Sequence, residues 1–441
     1  MALFFNRGKF MINRNFYLDQ LISRKHNSLI KVITGMRRCG KSYLLNTIFF
    51  EHLLNQGVKN DHIIRFAFDS AEDLFKIGEN LLEISQSNKK VDPQKFVEFI
   101  NSQIKDDKLY YLLLDEVQNL GGFESVLNGY LRKENLDIYV TGSNAKFLSK
   151  DVITEFAGRG DEIKMLPLSF AEFMTNFKGE KAEGLQQYMT FGGLPFVALL
   201  STDEQKITYL KNLFEETYLT DIKKRYNLRK NNFEIEELLN ILSSSIGSLT
   251  NPTKLSNTFK SAKNKSITRN TIEKYIEYIK DSFLIDQANQ YDLRGKKYIN
   301  SPKKYYFTDL GLRNARINFR QLEETHSMEN IIFNELKLRG FNVDVGIVEE
   351  RTTNKDGKEQ RKRLEVDFVA NKGYNRYYIQ SALAMPTFEK EQQEQKVFGK
   401  INDSFKKIII TGGFKPQHYN EQGILILNIY DFLLNPNSLN I

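Results

Sequence analysis

Between a short apolar run and a stretch of helical periodicity the chain reads Gly35-Met36-Arg37-Arg38-Cys39-Gly40-Lys41-Ser42. Glycine, four residues, then Gly-Lys-Ser is the spacing of a phosphate-binding loop, and it carries that meaning where a strand enters and a helix leaves. Residues 29–33 (LIKVI) form the entering strand, and residues 42–54 place apolar side chains at helical spacing. The glycines allow the backbone to wrap so closely that its N–H groups face a β-phosphate, and the helix adds its positive N-terminal end. Lys41 then bridges the β- and γ-phosphates, and the Ser42 hydroxyl joins the shell of a Mg²⁺ ion. ATP and Mg²⁺ are therefore the expected cofactors.

Three more buried strands are expected at residues 63–68 (IIRFAF), 110–114 (YYLLL) and 136–140 (LDIYV), with a fifth short one at 162–166. Helix-like stretches at 94–104 and 123–132 separate them. Strands that are apolar almost throughout, alternating with helices, imply a parallel sheet covered on both faces. The second half of a phosphate site needs acid at the end of another buried strand, and YYLLLDE supplies it. Asp115 is expected to hold Mg²⁺ through water and Glu116 to polarise the attacking water. Residues 63–68 stand between the two motif strands in the sequence. That order matches ATPases with an extra strand between those two, and a Glu directly after the Asp points the same way.

The next strand ends in TGSNAKFLS. Asn144, with Ser143 beside it, is placed either to sense the γ-phosphate and orient water or to cap the following helix. Arg159, between two glycines in FAGRGDEI, suits either an arginine finger reaching a neighbouring subunit's phosphate or a plain surface turn. Arg37 and Arg38 strengthen the anion field of the loop and face nucleotide, solvent or a partner. Cys39 reads as a small loop residue, with a redox switch as the alternative.

These segments, with PLSFAEF (167–173) and FGGLPFV (191–197), make the chain resemble the AAA-type P-loop ATPases of bacteria and archaea. In those a winged-helix region and a restriction-endonuclease-like domain follow the ATPase. YLKNLFEETYLTDIKKR (209–225) and YYFTDLGLRNA (305–315) fit the middle of that architecture. The resemblance implies an α/β P-loop NTPase parallel sheet with helices on both faces over residues 1–200. A mostly helical winged-helix domain over 201–316 and a small α/β restriction-endonuclease-like domain over 317–441 would follow.

In the middle region, residues 253–261 and 268–283 would form the helix-turn-helix pair and 284–307 the wing hairpin. Arg294, Lys296, Lys297, Lys303 and Lys304 on the hairpin, with Lys260, Lys263, Lys265 and Arg269 near the second helix, would offer phosphates a basic face. Winged helices also serve as protein-contact modules, so double-stranded DNA and a protein are both candidate partners. The polar stretch 349–362 is expected to be a long surface loop.

Nucleases of the implied C-terminal fold place a helix Glu, then an Asp on a strand, then Glu-x-Lys on the next strand. Glu329 or Glu335 fits the helix and Asp367 the first strand, but Gln380 and Ala382 stand where the Glu and Lys would be. DNA cleavage is accordingly expected to be lost, unless Lys390 swings in from the segment that follows.

Composition narrows the setting. The 441 residues fit about two to four domains. A single cysteine excludes an internal disulfide and a multi-cysteine zinc site. No apolar run approaches a membrane span, and the N-terminus is a poor signal peptide, so a cytoplasmic location and no membrane partner are expected. A net charge of +8 permits nucleic acid without requiring it. The reading is an ATP-hydrolysing switch or motor acting on a macromolecule, DNA first. The alternatives are a slow-hydrolysing ATPase gating a protein partner and an ATP-dependent nuclease. A homo-oligomer fits the trans role of Arg159.

Overall fold

The computed structural model describes residues 12–87, 89–142, 156, 158–228, 233–263, 267–320, 323–353, 359–385 and 387–440. The chain divides into a first compact unit ending at Pro167 and a second beginning at Leu168.

The first unit is built on β1 (Ile30–Gly35), β2 (Ile63–Ala67), β3 (Tyr110–Asp115), β4 (Leu136–Thr141) and β5 (Gly160–Met165). All pairings are parallel, in the order β2-β3-β4-β1-β5. Every residue of β1, β3 and β4 is buried. Their side chains alternate between two apolar layers. Ile30, Val32, Leu112, Leu114, Ile138 and Val140 join Phe96 and Ile100 of helix Pro93–Gln103, and Phe123 and Leu127 of helix Phe123–Tyr130. On the opposite face Tyr139 packs its ring 4.6 Å from that of Phe49, in the helical run that follows the glycine loop. An extra strand does lie between the two motif strands β1 and β3. It is β4; β2, which intervenes in the sequence, sits at the sheet edge beyond β3.

The two strands LIKVI and LDIYV each carry one charge among apolar letters, and the fold joins them. Lys31 donates to Asp137 on the neighbouring strand, with their side chains 1% and 4% exposed. Tyr139 Oη donates to the other Asp137 oxygen at 2.9 Å, and Lys31 also reaches the Leu29 carbonyl at 2.9 Å. Burial pulls the Lys31 pKa down and Asp137 opposes it.

The second unit holds β6 (Ile285–Asp292), β7 (Lys297–Phe307), β8 (Asn342–Thr353), β9 (Glu359–Lys372), β10 (Asn375–Ala382), β11 (Lys406–Thr411), β12 (His418–Tyr419) and β13 (Leu425–Asn428). They form one mixed sheet in the order β12-β13-β11-β10-β9-β8-β6-β7. The hairpin expected as a wing is its β6–β7 edge, tied to the rest where β6 runs parallel to β8 at Gln290–Asp292. Much of the polar stretch expected as a loop is strand instead. β8 and β9 pair from Glu349↔Arg363 to Thr353↔Glu359, and at the start of that stretch the Glu349 carboxylate meets the Arg363 guanidinium across the ladder at 2.9 Å.

Residues 168–200, placed with the ATPase on resemblance, pack within this second unit. The buried Asp309 carboxylate accepts the Gly193 N–H at 2.8 Å and the Leu312 N–H at 3.0 Å. The approach is close enough that a Cβ at Gly192 would lie 2.3 Å from Asp309 Oδ1, and one at Gly311 2.1 Å from the Phe191 carbonyl oxygen. The Asn314 amide completes the joint by donating to the Met189 and Thr190 carbonyls. FGGLP and TDLGLRN are thus two halves of one packing joint.

Removing one partner of a buried ion pair strands the other charge in the core. Asp137→Ala is expected to cost about 3–5 kcal/mol, read from denaturant midpoints, whereas the double change Lys31→Met/Asp137→Leu costs much less.

Candidate functional site

The loop Gly35–Ser42 lies at the C-terminal end of β1. Gly35 has φ +135°, and a Cβ there would lie 2.1 Å from the Met165 carbonyl oxygen, so β5 and the loop approach as closely as backbones can. Gly40, at φ 101°, turns the chain left-handed into the helix that opens with Lys41. Arg38 also sits in the left-handed region, at φ 65°. Met36 and Cys39 are fully buried, the Cys39 thiol donating to the Met165 carbonyl at 3.6 Å, which fits a packing residue of the loop. Arg37 is half-buried and Arg38 exposed. Lys41 is buried and folds back over its own loop, donating to the Gly35 and Met36 carbonyls at 3.1 and 2.9 Å.

Asp115 ends β3 beside this loop. Its carboxylate accepts hydrogen bonds from the Thr141 hydroxyl and from Asn46 Nδ2, and the Ser42 hydroxyl reaches it as well. The two residues expected around Mg²⁺ are therefore brought together, one hydroxyl and one carboxylate, the hard oxygen donors that ion takes. Burial raises the Asp115 pKa to about 6, with the charges of Glu116 and Asp69 adding to the effect.

Glu116 adopts φ 52°, ψ 45°, a left-handed conformation for a non-glycine residue at the strand tip. The Thr141 hydroxyl, at the tip of β4, accepts its N–H at 3.1 Å. Thr141 thus ties both acidic residues of the motif to the neighbouring strand. The Glu116 carboxylate is held by Gln118 Nε2, a buried amide whose backbone carbonyl is in turn bonded by Lys90 at 2.7 Å.

Comparison with known proteins adds the family. Residues 27–174 match the model of an AAA domain, and residues 182–323 match a domain of unknown function, DUF8612. A protein of Haemophilus influenzae, described as uncharacterized, is 33% identical over 97% of this chain and 100% of its own length. The chain belongs to a family of P-loop proteins with an AAA domain. An uncharacterized protein of Methanocaldococcus jannaschii is 28% identical, over 96% of this chain and 88% of that one. Among solved structures, the Walker-type ATPase paby2304 of Pyrococcus abyssi matches 70% of this chain and 96% of its own, with 14% identity and a TM-score of 0.48.

Within the AAA domain the remaining candidates separate. Asn144 and Ser143 lie outside the described residues. Arg159 is exposed, and its carbonyl accepts the Ile30 N–H at the starting end of β1 and β5. The loop is at the other end of those strands, about 17 Å away for a six-residue strand. Within one chain Arg159 does not join the site.

Three polar residues near the acids were not singled out in the sequence. Thr141 was readable, as the last residue of a buried strand beside the acidic one. Asp69, whose pKa burial raises with help from Glu116, ends the run IIRFAFDS in the way Asp115 ends YYLLLDE. Gln118 carried no signal.

In the C-terminal region Glu329 and Asp367 are the pair that comes together, while Glu335 is held by Arg339 at 2.8 Å. Gln380 is beside Asp367, its Oε1 accepting the Asp367 N–H at 3.3 Å. Lys390 does not swing in; its ammonium pairs with Glu394 at 2.6 Å. The expected basic face is smaller than the sequence implied. Lys304 is buried and Arg269 pairs with Glu273 on its own helix, and Lys265 is outside the described residues. Among the described residues no helix is long and apolar enough to cross a membrane.

With a pKa of about 6, Asp115 carries a proton below that pH, and the proton competes with Mg²⁺ for the same carboxylate. Mg²⁺-dependent nucleotide affinity is expected to fall as the pH drops through about 6, and affinity measured in EDTA to change much less. Titration of a fluorescent ATP analogue from about pH 8 to about pH 5 measures both.

Proposed function

We propose that this protein binds Mg·ATP and hydrolyses it, using the nucleotide as a switch that acts on a macromolecule. The observation that carries the reading is the meeting of Ser42 with Asp115 beside a loop with the Gly-x₄-Gly-Lys-Ser pattern, with Glu116 at the same strand tip. When bound, Mg²⁺ would face Ser42 and Asp115 and neutralise phosphate charge there. Lys41, released from the Gly35 and Met36 carbonyls, turns its ammonium to the β- and γ-phosphates. Glu116 leaves Gln118 to accept a proton from the attacking water, and Asn144 orients that water.

Duplex DNA is the first partner to test, through the exposed Lys254, Lys260, Arg269 and Lys274 of helices Pro252–Lys263 and Arg269–Asp281. A protein partner is favoured by a specific observation, the pairing of Arg269 and Lys280 with Glu273 and Glu277 on the second of these helices. DNA that stimulates turnover, with a gel shift that weakens as salt rises, decides for DNA; neither effect decides for protein.

Lys41→Ala is expected to abolish nucleotide binding. Glu116→Gln is expected to keep binding and lose hydrolysis by about 100-fold or more, in a phosphate-release assay beside a nucleotide-binding titration. Turnover retained by Glu116→Gln removes Glu116 from the catalytic role.

Arg159 acts in trans, as a finger reaching a neighbouring subunit's phosphates. Mixing Arg159→Ala with Glu116→Gln subunits should then restore part of the hydrolysis, because some shared sites combine an intact arginine with an intact glutamate. Mixed oligomers that show no recovery make Arg159 structural.

A further inference from the structure

We infer that the Lys304 ammonium is the resident cation of the C-terminal carboxylate cluster, occupying the place where a metal-dependent nuclease would hold a divalent ion, so that the cluster binds no metal in this protein. Lys304 lies on β7, its side chain 4% exposed. Its Nζ is 2.6 Å from Glu365 Oε1, 2.8 Å from Glu329 Oε1 and 3.5 Å from Asp367 Oδ1. An ammonium has three N–H donors, and here three carboxylates surround it.

Other groups of the protein also bind the cluster. Tyr306, two residues along β7 and therefore on the same face, donates its hydroxyl to Glu329 Oε1 at 2.6 Å. Asp367 Oδ2 accepts the Ser381 N–H at 2.9 Å. The Gln380 oxygen, placed where a metal-binding Glu would stand, is turned to the Asp367 N–H. His326 is a further titratable group nearby, its Nδ1 4.0 Å from Glu329 Oε2. Among the described residues no group of three or more His, Cys, Asp or Glu side chains is arranged to hold a metal ion. The oxygens converge on the lysine nitrogen.

A permanent cation alters the chemistry available. An ammonium neutralises carboxylates but has no open coordination position, so it neither lowers the pKa of a bound water nor bridges a scissile phosphate to a nucleophile. The lysine that the sequence lacks at Ala382 is present, supplied by another strand. It fills the site rather than completing it. Burial pulls the Lys304 ammonium down, but the three carboxylates together outweigh that effect and leave it raised, so it stays charged at all physiological pH.

The test uses full-length, nucleotide-free protein, so that its outcome is independent of the ATP site. Wild type is expected to show no shift in melting temperature with Mn²⁺, and no Mn²⁺ signal in electron paramagnetic resonance that Asp367→Asn removes. Lys304→Met, which leaves three buried carboxylates without a cation, is expected to melt about 10 °C lower and to recover most of that loss when Mn²⁺ is added. Lys304→Met/Asp367→Asn is not rescued. Should Lys304→Met fail to fold, Lys304→Met/Glu329→Gln removes one carboxylate with the lysine and is expected to show the same Mn²⁺ dependence. The inference is overturned if wild type binds Mn²⁺ in a way that Asp367→Asn abolishes, or if the lysine variant that folds melts identically with and without Mn²⁺.

Discussion

A sheet covered on both faces has no room for an unpaired charge except at the ends of its strands. That constraint organises the first unit. Inside the sheet the charges Lys31 and Asp137 find each other across neighbouring strands, with two tyrosines close by. At the C-terminal tips, where backbone emerges from between the helical layers, Asp69, Asp115 and Glu116 gather within reach of one another's fields. The same tips carry the glycine loop. Polar chemistry is concentrated at one end of the sheet because its interior excludes it.

The second unit handles the same constraint differently. Its helix Glu324–Leu338 carries two buried glutamates, and each is matched by a basic residue, Glu329 by Lys304 and Glu335 by Arg339. Arg339 also donates to the Ser438 hydroxyl and to the Phe432 and Asn435 carbonyls. The C-terminal segment is thereby fastened to the helix by one guanidinium with several acceptors. That multiplicity is the reason Arg suits this position and Lys the other, where three donors meet three carboxylates.

Much of this was legible in the sequence. The five strands of the first unit appear within two residues of their expected places, and for β1, β3 and β4 the reason is that a strand covered on both faces leaves little choice of residue. The loop, Asp115 and Glu116 were legible from spacing alone. The lateral order of the strands was not, since β4 slips between β1 and β3 without leaving a mark on any of the three. Nor was the fate of Lys304, which reads as one of several hairpin lysines. Its carboxylate partners lie 25 to 63 residues away, and local periodicity says nothing about pairs so far apart. The stretch 349–362 was misread for a related reason. Its polarity reads as loop, but each residue's ladder partner lies on the other strand, as Arg363 does for Glu349, and a local reading does not see it.

The burial of Cys39 has a practical side. It is the one cysteine in the chain, and its sulfur is enclosed beneath the phosphate-binding loop. A thiol reagent reaches it only when the loop lifts away from β5, so the rate of alkylation counts openings of the loop in the unmodified protein. The chain thus carries its own reporter: occupancy of the loop, its breathing and the effect of any partner on either become readable from a single sulfur, without adding a label elsewhere.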